Sequence, residues 1–420
     1  MQRDTRIARV VAARFLSRAG SEAAFFVGVW GKAAFVMGAG PQALAAIMFA
    51  LSAASILGTA AAGILVDRYG PRRVIVAAEI VFVPAALAIA AADDLLTLGV
   101  LVAIWAFVGA PVVTAGASMA PFLTSEKSPL ERINAWIEGA GSLSFAVGPA
   151  VGALLVQFAN VNWVFILDAG TSLVAAALIW SVHITLRTRD SAETEKHIVA
   201  EFREGMRISW GLRNVRYYLL TGMVLWLAFG AFGALEPLFF RDVVGTGIEA
   251  MGWMNAIFGV GFMVGASFVP RLPKRFFSAR GLAISVAITG LGTVLYVGVP
   301  DLRVIAVGAF VWSAVIGVME PLLRTLLHRD APRHAIGRVI GTAELLRHSG
   351  EIVPLAFAPA LAGAFGVQPV LIGGGLLATI VAVASLGEAA AIDREGAPPA
   401  TMEFEVQGLH ASDEPKSPNP

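Results

Sequence analysis

The sequence predicts an all-α membrane protein of twelve transmembrane helices in two six-helix bundles. Composition is the first reason: of 420 residues, 57% are apolar and only 15% charged, where soluble chains carry about 45–50% and about a quarter. The second is arrangement. The apolar residues come in runs near the roughly 20 residues that a bilayer core requires, and mean hydropathy is +0.74. The third is that Lys and Arg fall on alternate loops, as membrane topology demands.

The runs set the spans in order. In the first half they cover about 10 to 38, 42 to 66, 74 to 92, 95 to 123, 133 to 158 and 161 to 185; in the second, about 217 to 240, 248 to 270, 281 to 300, 302 to 327, 337 to 366 and 369 to 391. The first span holds Arg14, Arg18, Glu22 and Lys32; it is kept because the count and the loop charges close only if it crosses. Its apolar stretch is too long for a signal-peptide core.

Loops after even spans carry Arg68, Arg72 and Arg73, then Lys127, the cluster from Arg187 to Arg213, then Arg271, Lys274 and Arg275, then Arg329 and Arg333. Loops after odd spans carry almost none, with Arg241 and Arg303 as exceptions. The positive-inside rule then puts both termini in the cytoplasm of a multi-pass inner (plasma) membrane protein.

Residues 1–185 form the first predicted bundle and 217–391 the second. Between them, 186–216 is a polar linker in which Val199, Phe202, Met206 and Trp210 recur at helical spacing opposite Arg203 and Arg207, a pattern for a helix at the membrane surface. Residues 392–420, rich in Pro, lack the apolar content to pack and are read as a disordered cytoplasmic tail. Internal repetition is faint. Arg68 to Arg73 has a shadow in Arg271 to Arg275, and Gly148-Pro149 in span five has one in Ala358-Pro359 of span eleven.

Several classes are excluded. A formal charge of +1 gives no global basic excess for nucleic acid. Absence of Cys removes disulfides and thiolate chemistry, and six scattered His make a metal centre improbable. No phosphate-cradling, Gly-x-Ser-x-Gly or His-Glu-x-x-His pattern occurs, so neither an enzyme nor direct ATP drive is encoded.

The most specific motif is Gly63-Ile-Leu-Val-Asp67-Arg68-Tyr-Gly70-Pro-Arg72-Arg73, at the end of span two. Gly63 would let another helix approach, Gly70 permits a turn with positive φ, Asp67 can face a helix N-terminus, and the arginines can pair with carboxylates or lipid phosphates. Here the sequence resembles the major facilitator superfamily, whose motif after the second helix is Gly-x3-Asp-Arg-x-Gly-x-Arg-Arg. In span five, Gly139 followed by Gly148-Pro149-Ala-Val-Gly152 resembles the superfamily's exporter pattern, a closely packed, kinkable helix; Ala153 stands where many members have another Gly. Glu131-Arg132-Ile-Asn134, Glu204-Gly205-Met206 and Gly337-Arg338-Val-Ile-Gly341 make the chain most similar to the twelve-helix drug and siderophore efflux group.

Ionisable residues inside spans cost about 2.5–3.5 kcal/mol each on insertion scales and should face a cavity or a partner. The resemblance implies that spans one, four, seven and ten line a central cavity, which makes Glu22, Glu236 and Glu320 the candidates for proton coupling. A structural alternative pairs Arg18 with Glu22 and Glu320 with Arg324 on their own helices. Glu344, Arg347 and Glu351 read as a self-neutralised triplet. Asp168 reads as structural, with a backbone or hydroxyl group such as Thr171 as its expected partner. Aromatics on these helices are Phe25, Phe26, Trp30, Trp105, Phe107, Trp226, Phe229, Phe232, Phe310 and Trp312. With Arg18, the residues Phe26, Trp30, Trp226, Phe229 and Trp312 are the candidates for contact with a bulky amphipathic or cationic substrate.

The expected activity is export of hydrophobic small molecules by proton antiport, with the two bundles rocking about the central site. No cofactor is expected beyond the proton motive force. The expected partners are a small-molecule substrate, protons and the lipid bilayer, with no nucleic acid, for a monomer. A metabolite importer or uniporter, a lipid flippase and a non-transporting sensor are the alternatives.

Overall fold

The computed structural model describes residues 2–124, 127–182 and 198–395. The described chain is helical throughout, without strands among the described residues. The first half comprises α1 (Gln2–Ala23), α2 (Pro41–Tyr69), α3 (Pro71–Ala90), α4 (Leu95–Ala117), α5 (Lys127–Phe158) and α6 (Asn162–Trp180). After α7 (Ile198–Gly211), the second half comprises α8 (Arg213–Gly230), α9 (Phe232–Leu238), α10 (Ile248–Phe268), α11 (Ala279–Gly298), α12 (Leu302–Asp330), α13 (Ile336–Ile352), α14 (Ala358–Phe365), α15 (Val367–Ala384) and α16 (Leu386–Glu395).

Ten helical stretches among the described residues are long and apolar enough to cross a membrane, α8, α9 and the π turn Phe239–Val244 counting as one. The first and eleventh expected spans do not qualify, and their sequences say why. The first is polar α1 continued by two π-helical turns, Ala24–Val29 and Gly31–Val36. The eleventh is α13, carrying Glu344, Arg347 and Glu351, then a 3-10 turn at Val353–Ala356 where Pro354 removes a backbone donor, then the short α14. Of the twelve expected spans, ten are thus single apolar stretches among the described residues, and the other two are interrupted helical columns. Other bounds shift by a few residues. The fourth span ends at Ala117, the sixth at Trp180, and the seventh runs Arg213–Val244. The last stops at Ala384, after which α16 turns away.

Packing falls into two sets. In the first half, α2 packs on α4, α3 on α4 and α6, and α1 on α5 and α6; in the second, α10 packs on α12, α11 on α12 and α15, and α8 on α13. The halves meet where α5 crosses α10 and where α2 meets α9 and α14.

The apolar core shows how they meet. One cluster joins both halves: Val27, Leu44, Ile89, Leu98 and Phe165 from the first pack with Phe239, Met251, Tyr296, Trp312 and Leu371 from the second. All lie toward the helix ends remote from the chain termini, here called the far side. Toward the terminal side the core divides. Val10, Ile75, Met119, Ile133 and Ile179 form a cluster confined to the first half, and Tyr218, Leu282, Leu326, Val339 and Ile392 one confined to the second. The bundles are thus sealed together on the far side and part toward the terminal side.

The linker helix α7 lies against α13, with Arg338 paired to Glu204 at 2.9 Å. A Cβ on Gly205 would sit 2.9 Å from that of Arg338, and Ser209, one turn on, is fully buried. The docked face is therefore Gly205/Ser209, while Trp210 is exposed. Of the expected Val199/Phe202/Met206/Trp210 stripe, Met206 is half-buried, and α13 is met by the small residues because only they allow so close an approach. The rest of the expected linker before residue 198, and the expected tail from 396 on, lie outside the described residues.

At the other end α16 fastens the second half. Its Glu388 and Glu395 take both sides of Arg213, and Asp393 accepts from the backbone N–H groups of Ala279 at 2.8 Å and Arg280 at 3.1 Å, capping α11 from another helix. Asp393→Ala is expected to lower stability by about 1 kcal/mol, the usual worth of an N-cap, which thermal unfolding in detergent would read.

Candidate functional site

The Asp67 loop forms where α2 ends. Gly70 has φ +78°, a conformation that favours glycine, and Pro71 then opens α3. Arg72 donates to the Ile179 and Trp180 carbonyls and stacks on the Trp180 ring at 5.2 Å, pinning the loop to the C-terminal end of α6 within its own bundle. Arg68 lies over Tyr69. Gly63 would meet nothing within 4 Å if it bore a Cβ, among the described residues, and neither would Gly139. The expected close helix approach at these two glycines is therefore absent here, because the terminal side is where the bundles part.

Gly148 and Gly152 do make close crossings. A Cβ on Gly148 would sit 2.6 Å from the Ala19 carbonyl and 2.7 Å from the Glu22 Cβ, and one on Gly152 3.0 Å from Val27. Ser144, one turn before Gly148, donates to the Phe15 carbonyl of α1 at 2.9 Å. The opposite face of α5 receives α10, where a Cβ on Gly252 would lie 3.3 Å from the Pro149 carbonyl and one on Gly259 2.5 Å from the Ala146 Cα. Gly148-Pro149 is thus wedged between α1 and α10 at the bundle boundary.

The far side is closed by an aromatic chain that crosses this boundary. Phe25 packs edge-on to Phe26 at 4.8 Å, Phe26 to Phe145 at 5.3 Å, Phe145 to Phe258 at 6.2 Å, and Phe258 to Trp312 at 5.2 Å, with Phe229 and Phe232 beside Trp312. Phe26 and Phe229 remain partly accessible. Trp30 and Trp312 are sealed in the core, at 4% and 3% exposure. Their expected place as cavity lining is corrected, since their rings fill the plug where the halves fuse. Phe107 and Phe310 face outward.

Above the plug sits Arg241, an exception to the charge rule. It donates to the Ala34 carbonyl at 2.6 Å and the Ala39 carbonyl at 2.9 Å, both in the other half, while Asp242 holds the guanidinium from behind at 2.6 and 2.9 Å. A cation on the far side is explained by the carbonyls freed where the first helical column ends.

Two of the charged candidates, Glu22 and Glu320, sit in separate clusters, one in each bundle, and Glu236 in neither. In the first bundle Arg18 pairs with Glu22 at 2.7 Å, the arrangement the local alternative describes. A cavity of about 200 Å³ beside them is lined by residues including Arg14, Ser17, Ser55, Glu79 and Trp105. Asp168, fully buried, accepts from Ser21 at 3.1 Å and Trp105 Nε1 at 3.0 Å, whereas the Thr171 hydroxyl goes to the Asp168 backbone carbonyl. The partner is thus a hydroxyl, as expected, but that of Ser21 and not of Thr171, because a hydroxyl three residues on reaches its own helix backbone first. Glu79 of α3 was not anticipated; a carboxylate inside an otherwise apolar span is the signal that finds it.

In the second bundle Glu320 does not pair with Arg324. Arg324 leans to Glu344 at 3.8 Å, and one Glu320 oxygen is buried with no hydrogen-bond partner among the described residues. Arg347 bonds Glu344 at 2.8 Å and Glu351 at 2.6 Å, with its guanidinium over Trp226 at 5.3 Å. Trp226, Glu320, Arg324, Glu344 and Arg347 line a pocket on α8, α12 and α13, where Arg324 is exposed and Glu344 partly so, while Glu351 holds Arg347 from outside the lining. Glu236 accepts from Tyr296 within the second half, at the level of the aromatic plug. The three carboxylates nominated for coupling therefore occupy three separate places.

Comparison with known proteins accords with this architecture. The chain is 28% identical over 333 residues to the multidrug efflux pump Tap of Mycobacterium tuberculosis, covering 74% of this chain and 77% of that one, and 25% identical over 332 residues to the Tap pump of Mycolicibacterium fortuitum, covering 74% and 79%. Among solved structures it superposes on a point mutant of the nucleoside transporter NupG with a TM-score of 0.75 at 11% identity, covering 91% and 99% of the two chains, and on a bacterial homologue of the iron transporter ferroportin in the inward-facing state with a TM-score of 0.67 at 16% identity, covering 91% and 98%. These relatives are transporters and not enzymes, and the family model of the Major Facilitator Superfamily matches residues 10–354: the chain belongs to that superfamily.

Proposed function

We propose that this transporter exports amphipathic or cationic small molecules across the plasma membrane in exchange for protons, by alternating access, with both termini cytoplasmic. The terminal side carries the Lys/Arg-rich loops and is therefore the cytoplasmic side, so the parted bundles face inward. The observation that carries the substrate class is the second-bundle cluster. Two guanidiniums, Arg324 and Arg347, line the pocket with two carboxylates, Glu320 and Glu344, beside Trp226, and a third carboxylate, Glu351, bonds Arg347 from outside the lining, so that the cluster as a whole carries one negative charge in excess. One excess negative charge against aromatic rings suits a hydrophobic cation, held by Coulomb attraction and cation–π contact. The efflux-pump names of the 28%-identical relatives support the outward direction.

In this scheme Arg241 and the aromatic plug hold the outer gate, and the Asp67–Arg73 loop secures the inner side when it closes. Asp67→Asn is expected to slow transport while leaving substrate affinity nearly unchanged; weakened binding with normal turnover would contradict that role. The activity itself is tested in inside-out vesicles with an acid lumen. Hydrophobic cations such as ethidium should release protons from the lumen when added. A folded protein that answers no compound in a panel of cationic and neutral drugs would move the reading to import or lipid transport.

A further inference from the structure

Glu79 stands apart from the nominated carboxylates. It is 1% exposed in the middle of the first bundle, one of its oxygens has no hydrogen-bond partner among the described residues, and it borders the cavity that also holds Arg14, Arg18 and Glu22. The Ser17 and Ser172 hydroxyls are its polar neighbours, with Arg14 and Asp168 within electrostatic reach. The Arg14 Nε is likewise buried without a partner among the described residues. Room for that guanidinium comes from two glycines: a Cβ on Gly116 would lie 3.2 Å from its Nη1, and one on Gly141 3.9 Å from its Nε.

Counting charge in this enclosure decides its state. Arg18 is committed to Glu22, which leaves Arg14 as the cation facing Glu79, while Asp168 lies within electrostatic reach of Glu79. Among the described residues, the Ser21 hydroxyl and the Trp105 indole are the groups bonded to the Asp168 carboxylate. Two cations against three carboxylates leave one uncompensated negative charge, which a low-dielectric interior penalises heavily. A single proton removes it. Every element packed around Glu79 enters this count: α1 supplies Arg14, Arg18 and Glu22, α6 supplies Asp168, and the residues that α2 and α4 bring to the cavity, Ser55 and Trp105 among them, are all uncharged. Glu138 of α5 also acts on Arg14, but it is exposed, where water screens its charge, and it stays outside the count.

We propose that the first bundle holds the exchangeable proton of the transport cycle on the Glu79/Asp168 pair, with Arg14 as its counter-charge, so that substrate and proton occupy different bundles. The step is a simple transfer: a proton leaves the Glu79 carboxyl for water in the cavity, the carboxylate takes the unpartnered Arg14 Nε–H, and reprotonation breaks that bond and frees Arg14. The proposal rests on the proton-antiport reading but is tested separately from it.

The first measurement is a pH titration of the purified protein by infrared difference spectroscopy, with no substrate present. Wild type should show a protonated-carboxyl band that titrates, and Glu79→Gln should lose it. The band unchanged in both Glu79→Gln and Asp168→Asn would overturn the proposal whatever the protein transports. The second uses proteoliposomes. Glu79→Gln should abolish substrate-coupled proton flux while retaining exchange of labelled substrate across the membrane, which also shows that the variant is folded. If wild type moves substrate without protons, antiport itself fails. If Glu79→Gln still couples substrate to protons, the assignment of the proton fails and antiport stands.

Discussion

Gly148→Val is expected to cost about 1–3 kcal/mol of stability, the range for overpacking a close-packed interior, and to abolish transport. Its Cβ would press on the Ala19 carbonyl and the Glu22 Cβ, both on α1, and neither can retreat because α6 packs on α1 from another side. At Gly20, a Cβ would already meet Thr171 and lie 3.0 Å from the Asp168 Cα. The Glu22 carbonyl and side chain would shift with the helix, disturbing the Arg18 pair. Gly139→Val, in the same sequence motif, meets nothing within 4 Å and should leave the melting temperature in place. Thermal unfolding of the two variants side by side makes the comparison, and equal losses would show that the two glycines share a purely helical role.

The second large effect is on the conformational equilibrium. Arg241→Ala removes two charge-assisted bonds to the Ala34 and Ala39 carbonyls, which exist only while the far side is closed. Bonds to charged groups contribute about 1.5–3 kcal/mol each, so the loss should shift the balance toward a far-side-open state by about tenfold or more. Because the chain has no Cys, a single reporter can be introduced without background labelling. Leu44→Cys, at a fully buried far-side position of α2, should react with a membrane-impermeant maleimide several-fold faster when Arg241→Ala is also present. An unchanged rate would mean that the aromatic plug alone closes the gate. Asp242→Asn should show the same direction with a smaller change, since Asp242 only orients the guanidinium.

Much of this molecule was legible as a string. Span positions follow from hydrophobic runs because a bilayer core fixes helix length. The Asp67–Arg73 loop is recognisable because its turn needs Gly70 at positive φ and Pro71 at the first helical position, both local requirements. The Glu344/Arg347/Glu351 triplet is local too, its members being one turn apart. Arg18 and Glu22 pair for the same reason.

Other assignments depend on which helices meet. Glu320 and Arg324 share the spacing of Arg18 and Glu22, yet Arg324 turns to Glu344 on α13, a neighbour that spacing along α12 does not reveal. Trp30 and Trp312 carry the same composition signal as Trp226, but only packing separates rings in the plug from a ring in the pocket. Among glycines, Gly148 and Gly139 differ solely in whether another helix crosses them.

Sequence alone determined the helical class, the near-equal halves, the family resemblance and the local charge pairs, because each is set by bilayer thickness or by contacts within a turn or two. Tertiary structure decided which side is closed, that Arg241 bridges the halves, and that Glu79 and Arg14 line one cavity with Asp168 bonded to two of its lining groups, Ser21 and Trp105. Those depend on contacts between residues far apart in the chain, and the free energy of a buried charge is set by the groups that surround it.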